Sequence, residues 1–112
     1  MMESAQVVKA LAALAQPTRL ATYRLLVVCG PEGMMAGQIA EKLNASAATM
    51  SFHFKTLSHA GLIERRQEGR FIYYTANFAV MNGLVAYLTE NCCGGNFELC
   101  NEKNVNHFNQ EN

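Results

Sequence analysis

The sequence predicts a mainly α domain with a β-hairpin, the arrangement of a winged helix-turn-helix. Three features lead there. Two short helical segments meet at an Asn-Ala-Ser turn after Leu43. Alternating and β-branched residues fold back on themselves around Gly69. Apolar residues at helical spacing flank this unit on both sides. At 112 residues the chain is one domain's length, enough for a hydrophobic core but short for an enzyme with an enclosed pocket.

From the amino end, Val7, Val8, Leu11 and Leu14 give a first helix over Ser4 to Ala15. Pro17 suits the first turn of a second helix running to Cys29, which Gly30-Pro31 stops. That helix is apolar on nearly every side and reads as a central buried element. Pro31 to Met34 reads as a loop. Ala36, Ile39, Ala40 and Leu43 then make a two-turn amphipathic helix, and Ser46 is placed to cap the next one.

In the helix from Ala47 to Ala60, Met50, Phe54 and Leu57 form the inner stripe. This leaves Ala48, Thr49, Ser51, Phe52, His53, Lys55 and Thr56 largely outward. Small, hydroxyl and cationic groups on one helix face suit base edges and phosphates, so double-stranded DNA is the leading partner. Ser51, His53, Lys55 and Thr56 are the foremost candidate contacts, with Ser46 and Thr49 at the helix start.

Gly61 ends this helix, Leu62 to Arg66 alternates into a strand, and Gln67-Glu68-Gly69 turns the chain. Arg70 to Thr75 is the return strand, and Arg65, Arg66 and Arg70 would meet a phosphate backbone or a minor groove. Asn77 can cap a last helix with the stripe Phe78, Met81, Val85 and Leu88, beside which Val80, Leu84 and Tyr87 add more apolar surface. One small domain cannot easily cover both, so this helix, with the first beside it, is expected to join two copies into a homodimer.

Nine Lys and Arg balance nine Asp and Glu, so net charge alone does not mark a nucleic-acid binder. The distribution is more informative. Lys42, Lys55, Arg65, Arg66 and Arg70 face only Glu64 and Glu68 between positions 42 and 70, which makes the reading head locally positive. Met1-Met2-Glu3-Ser4 has no basic and apolar leader pattern, and no later stretch reaches the length of a membrane span, so the expected compartment is the cytoplasm. Thiols stay reduced there.

Cys92-Cys93, a double glycine and Cys100 let three sulfurs converge on one atom. Three soft thiolates suit a three-coordinate centre such as As(III) or Sb(III). Zinc needs a fourth ligand, which His107 would have to supply. A Cd(II), Pb(II) or Zn(II) site, a disulfide-forming redox sensor and merely structural cysteines are the alternatives. Cys29 reads as a small buried hydrophobe. Neither a phosphate loop nor a Cys-His pairing suggests an enzyme, and no organic cofactor is expected. The domain is drawn over 1–100, with 101–112 a polar and mobile tail.

Several of these segments together resemble the ArsR/SmtB family of metalloregulatory repressors, in its arsenic-responsive form. They are the Ala10 to Leu20 run, Gln38-Ile39-Ala40-Glu41-Lys42-Leu43, Ser46 through Leu57, Ala60-Gly61-Leu62-Ile63, and Glu68 to Tyr74. The resemblance implies a homodimer that represses its own resistance operon and leaves the operator when an inducer binds. The Cys-x-Cys pair of some arsenic sensors is replaced here by Met34-Met35-Ala36. Asn77 and Ala79 stand where zinc sensors begin their Asp and His ligands. Both departures direct the expected As(III) site to Cys92, Cys93 and Cys100, which look like the C-terminal three-cysteine site of other members.

Overall fold

The computed structural model describes residues 2–95, and residues 101–112, read as a mobile tail, lie outside that range. Its elements run α1 (Ser4–Leu14), α2 (Pro17–Cys29), β1 (Met34–Met35), α3 (Ala36–Lys42), α4 (Ala47–His59), β2 (Ile63–Glu68), β3 (Phe71–Ala76) and α5 (Phe78–Thr89). Short 3-10 turns at Gly30–Glu32 and Cys92–Gly95 follow α2 and α5. No helix among the described residues is long and apolar enough to cross a membrane.

Local chemistry explains most boundaries. Pro17 starts α2 just after Gln16, whose side chain accepts from the Arg19 amide. The Ser46 hydroxyl accepts from the Thr49 amide at 3.1 Å and caps α4, while Asn77 does the same for α5 through the Val80 amide at 3.2 Å. Gly61, at φ 78°, takes the left-handed conformation that releases the chain from α4.

The sheet has the order β1-β3-β2, all antiparallel. The two-residue β1 pairs Met34 with Tyr74 and Met35 with Tyr73, where the sequence suggested only a loop. Backbone approach makes this possible, because at Gly33 a Cβ would collide with the Tyr74 carbonyl and the Thr75 side chain. The hairpin is also longer than expected. Glu68 pairs with Phe71, leaving Gly69 and Arg70 as the whole turn, with Gly69 at φ 62° in the manner of a type II′ turn.

The core lies between α2, α3, α4 and the inner face of the sheet. Leu26, Ile39, Met50, Leu57 and Leu62 are fully buried there, and Phe54 stacks on Tyr74 with ring centroids 4.4 Å apart. α2 is less enclosed than its composition suggested, since Leu20 is exposed and Val28 is 84% exposed. α5 buries only Leu84, resting Phe78, Val80 and Met81 on the core and leaving Val85 and Leu88 in solvent. Its expected stripe is thus divided between two directions.

His53 departs from the expected outward face. It is only 8% exposed, and its Nδ1 faces the Arg19 guanidinium at 3.5 Å, while Arg19 Nε donates to the Ala13 carbonyl at 2.6 Å. The reason is the helical turn: a residue between Met50 and Phe54 on α4 borders the inner stripe and falls against the α1–α2 junction. A neutral imidazole can accept there, but an imidazolium would oppose the arginine. Burial, and secondarily the Arg19 charge, therefore hold the His53 pKa below its ordinary value.

Two consequences can be measured. Leu26→Ala, which empties a fully enclosed site, should lower unfolding free energy by about 2–5 kcal/mol in urea titrations. For His53 the unfolded chain binds the proton more readily, so its contribution is complete above about pH 6.5 and fades as pH falls through that value. Thermal melts should accordingly show a steeper loss between pH 7.5 and 5.5 for the wild type than for His53→Gln. Equal slopes would remove His53 as the source.

Candidate nucleic-acid interface

With Met50, Phe54 and Leu57 fixed inward, the opposite face of α4 is determined by the helical repeat. Ala48, Phe52, Lys55 and His59 stand at positions i, i+4, i+7 and i+11 and are all exposed. This line is the crest that the molecule can offer to a groove. Ser51 is exposed on one flank, while Thr49 and the half-buried Thr56 lie on the other.

The hydroxyl groups differ in how far they are already engaged. Ser46 and Thr49 bind each other, with the Ser46 hydroxyl donating to Thr49 Oγ1 at 2.9 Å, so both serve the helix start as well as lying exposed at it. The Thr56 hydroxyl donates back to the Phe52 carbonyl at 3.2 Å. Ser51 and Lys55 are the expected contacts that remain both exposed and without such an anchor in the hydrogen bonds described. Phe52, one of the residues expected to face outward, is 65% exposed at the middle of the crest.

The three wing arginines are exposed but not equivalent. Cross-strand pairing puts Arg66 on the face of Tyr73, and its guanidinium lies 4.8 Å from the centre of that ring. It also donates to the Glu32 carbonyl at 3.3 Å and pairs with Glu68 at 3.3 Å. Arg66 therefore braces the wing against the turn after α2. Arg65 pairs opposite Tyr74 on the other face, and Arg70 occupies the hairpin turn itself, where a backbone phosphate is accessible.

Wing and helix are joined through the core by the Phe54–Tyr74 stack, so their relative position is set by packing and not by a loop. Lys42 on α3, Lys55 on the crest of α4, and Arg65 and Arg70 on the hairpin are exposed cations of this one body. Such an arrangement can hold phosphates at its edges while the crest meets base edges.

The expected thiol site is only partly within the described residues. Cys92 lies half-buried in the turn that follows α5, whereas the Cys93 side chain and Cys100 are outside what is described. Among the described residues no cluster of three or more His, Cys, Asp or Glu could hold a metal ion. Cys29 is half-buried at the end of α2, close to the small hydrophobic role expected of it.

Known proteins share this architecture. A family model described as a helix-turn-helix domain matches residues 14–66. The uncharacterized HTH-type transcriptional regulator YceK of Bacillus subtilis is 44% identical over 61 residues, which are 54% of this chain and 60% of that protein, so the match spans about three fifths of its length. The transcriptional repressor SdpR of the same organism is 33% identical over 76 residues, covering 68% of this chain and 81% of SdpR.

Among solved structures, an ArsR-like transcriptional regulator from Rhodococcus sp. RHA1 superposes with a TM-score of 0.70 at 27% identity, over 90% of this chain and 92% of that one. A possible transcriptional regulator for arsenical resistance gives 0.63 at 31% identity, over 71% and 80%. The homodimeric winged helix-turn-helix DNA-binding domain of a possible ArsR-family regulator from Mycobacterium bovis gives 0.61 at 29%, over 77% and 80%. Helix order, wing and sequence likeness agree: the chain belongs to the ArsR family of winged helix-turn-helix transcriptional regulators, which are DNA-binding proteins and not enzymes.

Proposed function

We propose that the protein is a homodimeric, cytoplasmic repressor of an arsenic-resistance operon, released from its operator by As(III), with Sb(III) as a second inducer. The observation that carries the inducer is the sequence spacing of Cys92, Cys93 and Cys100, three thiols within nine residues after α5. The 31% identity to a possible regulator for arsenical resistance supports the same reading. Arsenous acid would exchange its three hydroxyl groups for three thiolates, each leaving as water with a thiol proton, and the product needs no fourth ligand.

Exposed apolar surface supports the dimer. Val8 and Leu11 on α1 and Val85 and Leu88 on α5 are large side chains left in solvent by a single protomer. Met2, just ahead of α1, touches α5 at Gly83, where a Cβ would come within 3.0 Å of its sulfur. α1 and α5 would thus bury their outer faces together against a second copy, and two α4 helices would enter successive major grooves of a two-fold operator. Ser51, Lys55 and Thr56 would contact the DNA from α4, Ser46 and Thr49 from its start, and Arg65 and Arg70 from the wing.

The route from inducer to DNA is short. The Asn77 amide, which opens α5, donates to the Leu62 carbonyl at 2.8 Å, and the Leu62 amide donates to the Leu57 carbonyl near the end of α4 at 3.1 Å. Tying the end of α5 to Cys100 would shift the seam between protomers and, through this backbone relay, the spacing of the two reading helices. A coupling of about 1–3 kcal/mol, or about 5–150-fold in operator affinity, is sufficient.

Two experiments bear on this. Fluorescence anisotropy with operator DNA should show arsenite releasing the wild type, while Cys92→Ser, Cys93→Ser and Cys100→Ser bind DNA normally and ignore arsenite. A full response in any variant removes that thiol. Stronger release by Cd(II), Pb(II) or Zn(II), or release by peroxide with a disulfide detected by mass spectrometry, replaces the inducer. Separately, Val85→Glu with Leu88→Glu should convert a sedimenting dimer to monomer and weaken operator binding by at least tenfold, since each half-site would then be held alone. A monomeric wild type would refute the dimer.

A further inference from the structure

We propose that Phe52 is a specificity-determining residue of the DNA interface and reads the 5-methyl group of a thymine in the major groove. This rests on the reading of α4 as the groove-entering helix. It adds a residue that the polar candidates did not include.

Position comes first. Phe52 lies at the centre of the crest formed by Ala48, Phe52, Lys55 and His59, opposite the buried Met50, Phe54 and Leu57. A helix seated in a major groove presents its crest to base edges and its flanks to the phosphate walls. Ala48, one turn earlier, is small enough to let the helix settle close to the bases around a larger neighbour.

The fold does not explain this side chain. Its ring is 65% exposed, and the described aromatic contact is an edge-on approach to His53, with centroids 6.0 Å apart and planes at 69°. His53 is itself buried against Arg19, and this contact leaves Phe52 largely uncovered. A bulky apolar side chain thus keeps most of its surface open.

The chemistry of the ring selects the target. Phenylalanine neither donates nor accepts a conventional hydrogen bond. Against the polar edges of guanine, adenine or cytosine it would strip water from N7, O6, N6 or N4 and return no hydrogen bond. The thymine methyl is the apolar group on the major-groove edge, so contact with it removes two apolar surfaces from water together.

A protein partner fits this patch less well. The other exposed apolar side chains grouped for association, Val8, Leu11, Val85 and Leu88, are on α1 and α5, whereas Phe52 shares its crest with Lys55 and His59. A cationic neighbour one turn away complements phosphate, not an apolar protein face.

The test uses an operator selected by the wild-type protein from a random duplex library. Each thymine in it is replaced in turn by deoxyuridine, which removes only the methyl. Fluorescence anisotropy then measures binding of the wild type, Phe52→Ala and Phe52→Leu. For the wild type, one position in each half-site should lose about fourfold in affinity per methyl removed. Phe52→Ala should melt like the wild type and bind the thymine and deoxyuridine duplexes equally at that position, with Phe52→Leu keeping part of the difference. A wild type indifferent to every replacement, a Phe52→Ala variant as sensitive as the wild type, or a Phe52→Ala variant that fails to fold would each overturn the role of Phe52 while leaving α4 as the reading helix. Failure of the wild type to select any sequence would overturn that reading itself, and this proposal with it.

Discussion

The rest of the structure depends on how the inner stripe of α4 is buried. Met50 and Leu57 have no exposed surface, and Phe54 lies flat on Tyr74 of the hairpin. Once those three positions are fixed inward, the turn of the helix decides which residues can reach a ligand and which cannot. The same contacts hold the hairpin to the helix. Reading helix and wing therefore form one body, and operator recognition becomes a question of where two such bodies sit relative to each other. Loosening this packing would blur the crest and free the wing at the same time.

Electrostatics act within that frame. The chain carries no net charge, so attraction to DNA has to come from placement. Lys42, Lys55, Arg65 and Arg70 are exposed, but the Arg66 guanidinium is engaged with Tyr73, Glu32 and Glu68. Its bonds are individually weak, since exposed ion pairs contribute about 0–1 kcal/mol. Their combined effect is geometric: the bond to the Glu32 carbonyl ties β2 to the turn after α2, while Tyr73 and Glu68 hold the guanidinium within the hairpin.

Much of the fold was legible because local chemistry and tertiary packing agree along most of the chain. Pro17, Ser46, Gly61 and Asn77 mark their boundaries through a fixed φ, an orphan amide or a positive φ, and the helices begin or end where these residues imply. The strand β1 was not legible. Two methionines have no strand signature of their own, and their pairing depends on Gly33 admitting the Tyr74 carbonyl from a distant part of the chain. His53 failed for a related reason. Polarity argued for solvent, while its place one residue before Phe54 put it beside the core, and only the arrival of Arg19 from α2 made that burial tolerable. Ser51, Phe52 and Lys55 are exposed as the helical repeat implies, but the polar candidates for DNA contact leave Phe52 out because its ring carries no hydrogen-bonding group.

The weak attachment of α5 gives the proposed regulation its physical basis. This helix buries one residue, Leu84, and otherwise leans on the core through Phe78, Val80 and Met81 near its start. Its beginning is tied to α4 through Asn77 and Leu62, yet Val85 and Leu88 near its end stay exposed among the described residues. A helix anchored at one end and open at the other can change its angle at low cost, because few close-packed contacts must break. On the proposed reading, a second protomer covers the open end, and a thiol-bound As(III) just beyond it selects among the angles that the seam permits. The fold would then need no long-range pathway: the ligand acts on the least constrained helix, and the Leu62 backbone carries its tilt directly to the most constrained one.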